Sequence, residues 1–397
     1  MPERRDLISA SRKLLRLARE DRIQAAEVMN ALSLDEQVSA VCEAPIAMRP
    51  RLLGLAEDPD ALIPRMPEAE LCFTCKQVGV EDASWMLTHA SSEQIVACFD
   101  LDGWRGIEPD IPKLDSWLAS LAEAGEKTLL RAAQALDAEM VALYLRDHAD
   151  VELKPAGDED WQPPAGGQTL EGQFYVIARR KNDDLAPLMK LLRVLFQEDY
   201  WLYFRMMQSV RAEMESDISF WALRWRSGRL EDLGFPSWDR SMAIYGHLRR
   251  DEFGELPEVA TTEESTEWSL PVWLTDLPAA RDSRHSLFRA VSQLDESERS
   301  RFFYAFISLA NRIAIADQLE LGDSETLPDT IEKAAQIASR GLEYIAQERG
   351  LSFEEVVRRA EVARLFRVGV NLKPEGVRPA LTDFETESEA SEEDVGD

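Results

Sequence analysis

Apolar residues recur three and four positions apart through the first 150 residues, in short runs broken by polar or turn-forming residues. That spacing lines one face of a helix, so the pattern predicts a succession of short amphipathic helices. Their ends are marked. "LSLDEQVSAVCEA" carries Ser33 with Glu36 three positions later, a reciprocal capping pattern, and "ASSEQIVACFDLDGW" repeats it with Ser91 and Gln94. "RMPEAELCFTCKQVG" places Pro67 where a first turn accepts it and Gly79 where a helix stops. Short helices continue through "IPKLDSWLASLAEAG" and "LDAEMVALYLRDHA". At the N-terminus, Ile8, Leu14, Leu15 and Leu17 fit one more amphipathic helix, read as the first helix of the domain.

The pattern breaks over residues 150–171. "DVELKPAGDEDWQPPAGGQTL" concentrates Pro and Gly, which predicts a linker or exposed loop. "GQFYVIARR" follows, β-branched and apolar, and reads as one short strand or as the lead-in to the next helix. With no visible partner it amounts at most to a small hairpin near 172–178. From Asp184 the helices lengthen through "LAPLMKLLRVLFQEDYWLYFRMMQSVRAEMES" and "ISFWALRWRSGR" to residue 250. Residues 251–276 hold eight acids and no base, and the segment 251–282 reads as an acidic linker. A last helical region spans 283–372, with Ser352 and Glu355 as another capping pair. The tail 373–397 ends in "DFETESEASEEDVGD", eight acids without a base, and is expected to be solvated and dispensable for folding. The expected architecture is therefore all-α: an irregular helical-repeat superhelix over 1–149, an aromatic-rich helical domain over 172–250 and a C-terminal helical domain over 283–372.

Helix starts near Ser33, Pro67 and Ser91 fall 34 and 24 residues apart, an irregular repeat of helix pairs. Over residues 30–105, "LIPRMPEAELCFTCKQVGVEDASWMLTHASSEQIVACFDLDGW" resembles the short-helix repeats of the magnesium-transporter cytoplasmic N-domain and of the flagellar rotor switch protein. That resemblance implies a right-handed superhelix used for contacts, and no catalysis. Over most of 30–370, "QEDYWLYFRMMQSV", "RWRSGRLEDLGFPSWDRSMAIYGHL" and "ARLFRVGV" are similar, in order and spacing, to landmarks of an uncharacterised bacterial family of unknown function. That resemblance carries over no activity and no catalytic residue.

Composition narrows the function classes. Apolar residues make up 45% and charged residues 30% of 397, the balance of a soluble globular chain. No apolar run reaches the roughly 18 residues a membrane span needs, and no secretory leader is legible. The formal charge of −29 repels phosphate at long range, so nucleic acid is not an expected partner. Cysteines occur only at 42, 72, 75 and 98, which is no secreted disulfide framework and points to a reducing cytoplasm.

Candidate chemistry concentrates in "FWALRWRSGRLEDLGFPSW" (220–238). Trp221 and Trp225 share a helical face, and large aromatics dominate cores. The expectation is therefore an aromatic seam buried between helices. Arg224, Arg226 and Arg229 would lie at its rim, snorkelling or paired with Glu231, Asp232 and Asp239. The functional alternative is an anion or peptide groove made by Arg224, Trp225, Arg226, Arg229, Trp238 and Tyr245, since arginine forks beside aromatic rings suit carboxylates and phosphates. Cys72 and Cys75 lie one turn apart, with Cys42 and Cys98 in neighbouring helices. Four thiolates suit zinc, but a single CxxC inside an apolar helix reads better as core cysteine. His89, His148, His247 and His285 form no metal or catalytic motif, and "DLDGW" (100–104) reads as a turn. No cofactor is expected. The leading function is a non-enzymatic cytoplasmic scaffold or adaptor for another protein. The alternative is a small-ligand or anion-binding sensor or enzyme using 200–245. A groove along the first 150 residues favours the adaptor; a deep pocket lined by Arg224, Trp225, Arg226 and Tyr245 favours the ligand.

Overall fold

A computed structural model of the protein describes residues 4–157, 160–180, 184–256, 283–323 and 326–372. Most of the expected acidic linker, from 257 to 282, and the tail 373–397 lie outside the described residues. The first helices are α1 (Arg4–Glu20), α2 (Arg22–Asn30), α3 (Leu34–Cys42), α4 (Arg49–Leu53), α5 (Pro59–Leu62), α6 (Glu68–Val78), α7 (Ser84–His89) and α8 (Ser92–Asp102). Strands β1 (Trp104–Arg105) and β2 (Glu108–Pro109) follow. Then come α9 (Ile111–Ala124), α10 (Glu126–Ala135), α11 (Ala138–His148), β3 (Ala149–Leu153) and β4 (Phe174–Ala178). The chain continues through α12 (Ala186–Glu198), α13 (Tyr200–Ala212), α14 (Glu215–Asp232), α15 (Trp238–Met242) and α16 (Ser286–Val291). It closes with α17 (Glu296–Ala316), α18 (Thr326–Arg349), α19 (Phe353–Arg359) and α20 (Val362–Asn371). The fold is all-α with two minor antiparallel hairpins, β1–β2 and β3–β4. Two compact units result. Residues 4–242 and 307–331 make the first; 243–256, 283–306 and 332–372 make the second.

The capping signals act as read. Ser33 and Glu36, Ser91 and Gln94, and Ser352 and Glu355 each exchange side-chain and backbone hydrogen bonds at the starts of α3, α8 and α19. Gly79 ends α6 with φ of 105°, a conformation that only glycine adopts without strain. Gln94 does a second job: its amide donates to the Ile63 and Met66 carbonyls, both at 2.7 Å, and ties α8 to the turn after α5.

The strand near 172–178 exists, and its partner is the start of the expected linker. Ala149 faces Ala178 and Leu153 faces Phe174 in an antiparallel register. The alternation in "ADVEL" explains why: Ala149 and Val151 turn inward while Asp150 and Glu152 face water. Phe174 and Val176 answer from β4, and Phe174 meets the rings of Tyr203 and Phe204 edge-on at 6.3 and 5.7 Å. The described residues of 150–171 therefore lie within the first unit, with 150–153 in a strand.

A buried ion pair organises the early helices. Arg49 and Glu70 are both fully buried and pair with each other. The remaining guanidinium protons go to the Cys42 carbonyl at 2.9 Å, the Ala44 carbonyl at 3.2 Å and the Glu70 carbonyl at 3.5 Å. One side chain thus satisfies the C-terminal end of α3 and fixes α4 against α6. In the second unit, α18 and α20 cross with their backbones in contact. A Cβ on Gly341 would overlap the Leu365 carbonyl, and one on Gly369 would overlap the Ile337 carbonyl. Beside that crossing, Arg367 donates to the Gly246 and His247 carbonyls at 2.9 Å, Arg349 to Gly254, Arg364 to Glu252, and Asn371 to Gly246 at 3.2 Å. A segment with little regular structure is held by cations that cap its carbonyls.

Two mutational outcomes follow from these contacts. Glu70→Ala leaves a buried, unpaired guanidinium and is expected to cost about 3–5 kcal/mol in urea unfolding. Replacing both partners by apolar residues is expected to recover little of it, because the Cys42 and Ala44 carbonyls lose their donor. Gly341→Ala and Gly369→Ala are each expected to cost at least about 3 kcal/mol, read from the melting of the full chain, since overlap with rigid backbone has no side-chain escape.

Candidate functional site

Helix α14 turns Ile218, Ala222, Arg226 and Leu230 inward, one every four residues. Three are apolar; the fourth is an arginine, 7% exposed. Its burial is compensated locally. Nε donates to the Asp100 carbonyl at 2.8 Å, Nη1 donates to the Gly106 carbonyl at 3.1 Å, and the guanidinium lies 4.9 Å from the Trp104 ring centre. Burial lowers its pKa to about 10, which still leaves it charged at neutral pH.

One turn-face away, Arg229 forks between two carboxylates. Nε and Nη2 donate to Asp100 at 2.6 and 2.9 Å, and Nη1 and Nη2 donate to Asp137 at 2.9 and 2.7 Å. Asp100 sits in the last turn of α8 and Asp137 immediately precedes α11, so one guanidinium joins three helices. Burial pushes the Asp100 carboxyl up, and the Arg229 hydrogen bonds pull it back. Burial opposes the charge on Arg229 as well, yet its bonds to Asp100 and Asp137 raise its pKa on balance. Asp102, two residues on, accepts from Lys76 at 2.5 Å and from the Trp117 indole at 2.9 Å. Lys113 approaches it to 3.4 Å while pairing with Glu320 at 2.7 Å.

A groove opens beside this cluster. It measures about 1340 Å³ counting the space at its mouth, and α6, α8, α10 and the end of α14 enclose it. Lys127, Arg131 and Gln134 line it from one face of α10, spaced four and three apart. Arg131 is anchored by the Leu87 and Thr88 carbonyls at 3.1 Å, and Gln134 by Asp199 at 3.0 Å. Glu68 and Glu93 line it from the first turns of α6 and α8, and Val96, Ala97, Leu130 and Leu233 supply apolar surface. The groove thus carries fixed charges of both signs around an apolar strip.

A family model described as "Family of unknown function (DUF6178)" matches residues 26–380. The chain belongs to that family. No curated protein and no solved structure matches the chain.

The aromatic seam expected in 220–238 is corrected on both of its faces. Trp221 and Trp225 are 41% and 47% exposed, stacked on each other at 5.9 Å, while Arg226 is buried. The inward stripe is 218, 222, 226 and 230, and the tryptophans lie off it. Arg226 wins the buried position because two carbonyls and an indole await it there. Arg224 does lie outside, 5.3 Å over the Trp221 ring. Trp238 is 42% exposed on α15. Tyr245 belongs to the second unit, where its ring packs at 5.8 Å from Phe366. "DLDGW" is the last turn of α8 and its exit into β1 rather than a simple turn. All four cysteines are buried; burial raises Cys42 to about 12 and holds Cys75 and Cys98 well above the ordinary thiol value. Among the described residues, no group of three or more His, Cys, Asp or Glu side chains is arranged to hold a metal ion. Asp100 and Asp102 entered the sequence reading only as the acids of "DLDGW", and Asp137 was not singled out; two acids in the buried stretch 94–102 of α8 are met by cations.

The exchange of buried and exposed faces has a direct test in urea unfolding. Arg226→Ala strands the Asp100 and Gly106 carbonyls and is expected to cost about 2–4 kcal/mol. Trp225→Ala is expected to cost under about 1 kcal/mol, the range of an ordinary surface change.

Proposed function

We propose that the protein is a non-enzymatic helical scaffold that binds a segment of another protein in the groove between α6, α8, α10 and the end of α14. This groove, lined mostly by residues between 68 and 135 and closed by residues 229–233, is the observation that carries this reading. Its apolar strip offers burial, and its two charged margins give register and orientation, which is how charge acts at an interface. The complementary segment has an apolar side flanked by acids where it meets Lys127 and Arg131, and by bases where it meets Glu68 and Glu93. The small-ligand alternative at 200–245 is weaker, because Arg226 and Arg229 are already met by protein acceptors. The irregular helix pairs fit a repeat-type scaffold. Four buried free thiols suit a reducing compartment, so a cytoplasmic location belongs to the proposal. Among the described residues, no helix is long and apolar enough to cross a membrane.

The test is affinity capture from the native cell with quantitative mass spectrometry. Lys127 is exposed and Leu130 half-buried, so Lys127→Glu with Leu130→Arg alters the groove with little expected loss of stability. The variant is expected to keep its melting temperature and lose at least about tenfold of the specifically captured partner. A variant that melts normally and retains every partner overturns the groove as the binding site.

A further inference from the structure

The solvent-facing side of α14 has no role in the groove or the ionic cluster, yet it exposes several large apolar side chains. Phe220, Trp221 and Trp225 are 57%, 41% and 47% exposed on consecutive turns, and Met214, just before the helix, is 67% exposed. Apolar surface of this size, gathered on one helix, marks a contact site. The outward positions 214, 217, 221, 224 and 228 alternate in steps of three and four, the period of a helix–helix seam.

That seam is complementary to its own reverse. Inverting α14 about Trp221 places Met214 opposite Gly228 and Asp217 opposite Trp225, with Arg224 one residue from that point. Nothing lies within 4 Å of the position a Cβ on Gly228 would take, so an open notch stands where the inverted methionine arrives. Asp217 and Arg224 lie two turns apart, about 10.5 Å along the axis. Reversal about a point midway between them brings each beside the other's counterpart. The Arg224 guanidinium is already held over Trp221, 5.3 Å from the ring centre. A two-fold interface requires that if residue i meets j, then j meets i; the Met–Gly pair meets that condition about Trp221, and the Asp–Arg pair about a point half a residue away, about 0.75 Å along the axis and within the reach of an arginine. An unrelated partner has no reason to impose this symmetry.

We propose that the protein is a homodimer whose two-fold axis passes through Trp221, with the α14 helices of two copies packed antiparallel. The stacked Trp221 and Trp225 rings form the buried centre, Met214 fills the notch at Gly228, and Asp217 pairs across the interface with Arg224. This is independent of the groove and stands or falls without it.

Sedimentation velocity of the full chain across micromolar concentrations tests the proposal. Wild type is expected at twice the chain mass. Arg224→Asp sets two carboxylates against each other at both ends of the axis. It is expected to weaken dimerisation at least tenfold, as is Gly228→Trp, which fills the notch. Asp217→Arg combined with Arg224→Asp restores opposite charges in the same register and is expected to restore the dimer. All three positions face water, and circular dichroism melts confirm that each variant is folded; should one charge variant fail to fold, Gly228→Trp carries the test alone. A monomeric wild type overturns the proposal. So does a dimer indifferent to Arg224→Asp and Gly228→Trp, or a charge swap that does not rescue.

Discussion

The first unit depends on one guanidinium. Arg229 offers two edges, and Asp100 from α8 and Asp137 from α11 take them both. Three helices separated by up to 129 positions in the chain are thereby held at fixed distance and rotation. A lysine supplies one point of charge and leaves the second carboxylate unmet; the planar fork is what permits two bidentate partners. The same constraint explains Arg226. Once Arg229 fixes the rotation of α14 against the end of α8, position 226 faces the Asp100 carbonyl. Only a long donor reaches that carbonyl and the Gly106 carbonyl together. Asp102 continues the set on the next face of α8, where Lys76, Lys113 and Trp117 converge. Its approach to Gly322 leaves no room for a Cβ there.

The second unit uses cations differently. Three of its arginines meet backbone carbonyls, while Arg249, Arg284 and Arg358 pair with carboxylates: Arg349, Arg364 and Arg367 each take one or more carbonyls from residues 246–254. Buried carbonyls without a partner are costly, and a segment of short turns cannot satisfy them internally. The glycine pair at the α18–α20 crossing serves a related end, since backbones in contact bring neighbouring side chains within reach of one segment. Arg49 in the first unit combines both uses, with one carboxylate and three carbonyls around a single side chain.

Local signals carried much of this into the sequence. The capping pairs at Ser33, Ser91 and Ser352, the stop at Gly79 and the helical spacing were legible because they act over three or four residues. The β4 strand was legible, as one of two readings, from its apolar and β-branched content, but its partner was not, because Pro- and Gly-rich residues 155–167 masked the alternation at 149–153. The rotation of α14 was misread for a deeper reason. Size and apolarity favoured Trp221 and Trp225 for the core, and nothing local revealed that acceptors stood waiting at position 226. Those acceptors come from residues more than 100 positions earlier in the chain, and pairing over that distance leaves no trace in periodicity. A weaker clue was present: Ile218, Ala222 and Leu230 recur every four residues, a stripe in register with Arg226.

The inversion on α14 bears on where binding capacity resides in this chain. The arginines that would recognise an anion are already engaged by protein acceptors, and an engaged guanidinium has few donors left to offer a ligand. The aromatic surface that would ordinarily stabilise a core is instead in water, where it brings no folding stability and favours association. On α14, charges held inside and tryptophans held outside therefore leave an apolar surface facing water. Such a surface suits the scaffold proposed above, which would bind polypeptide by area and register, better than it suits a small-anion receptor.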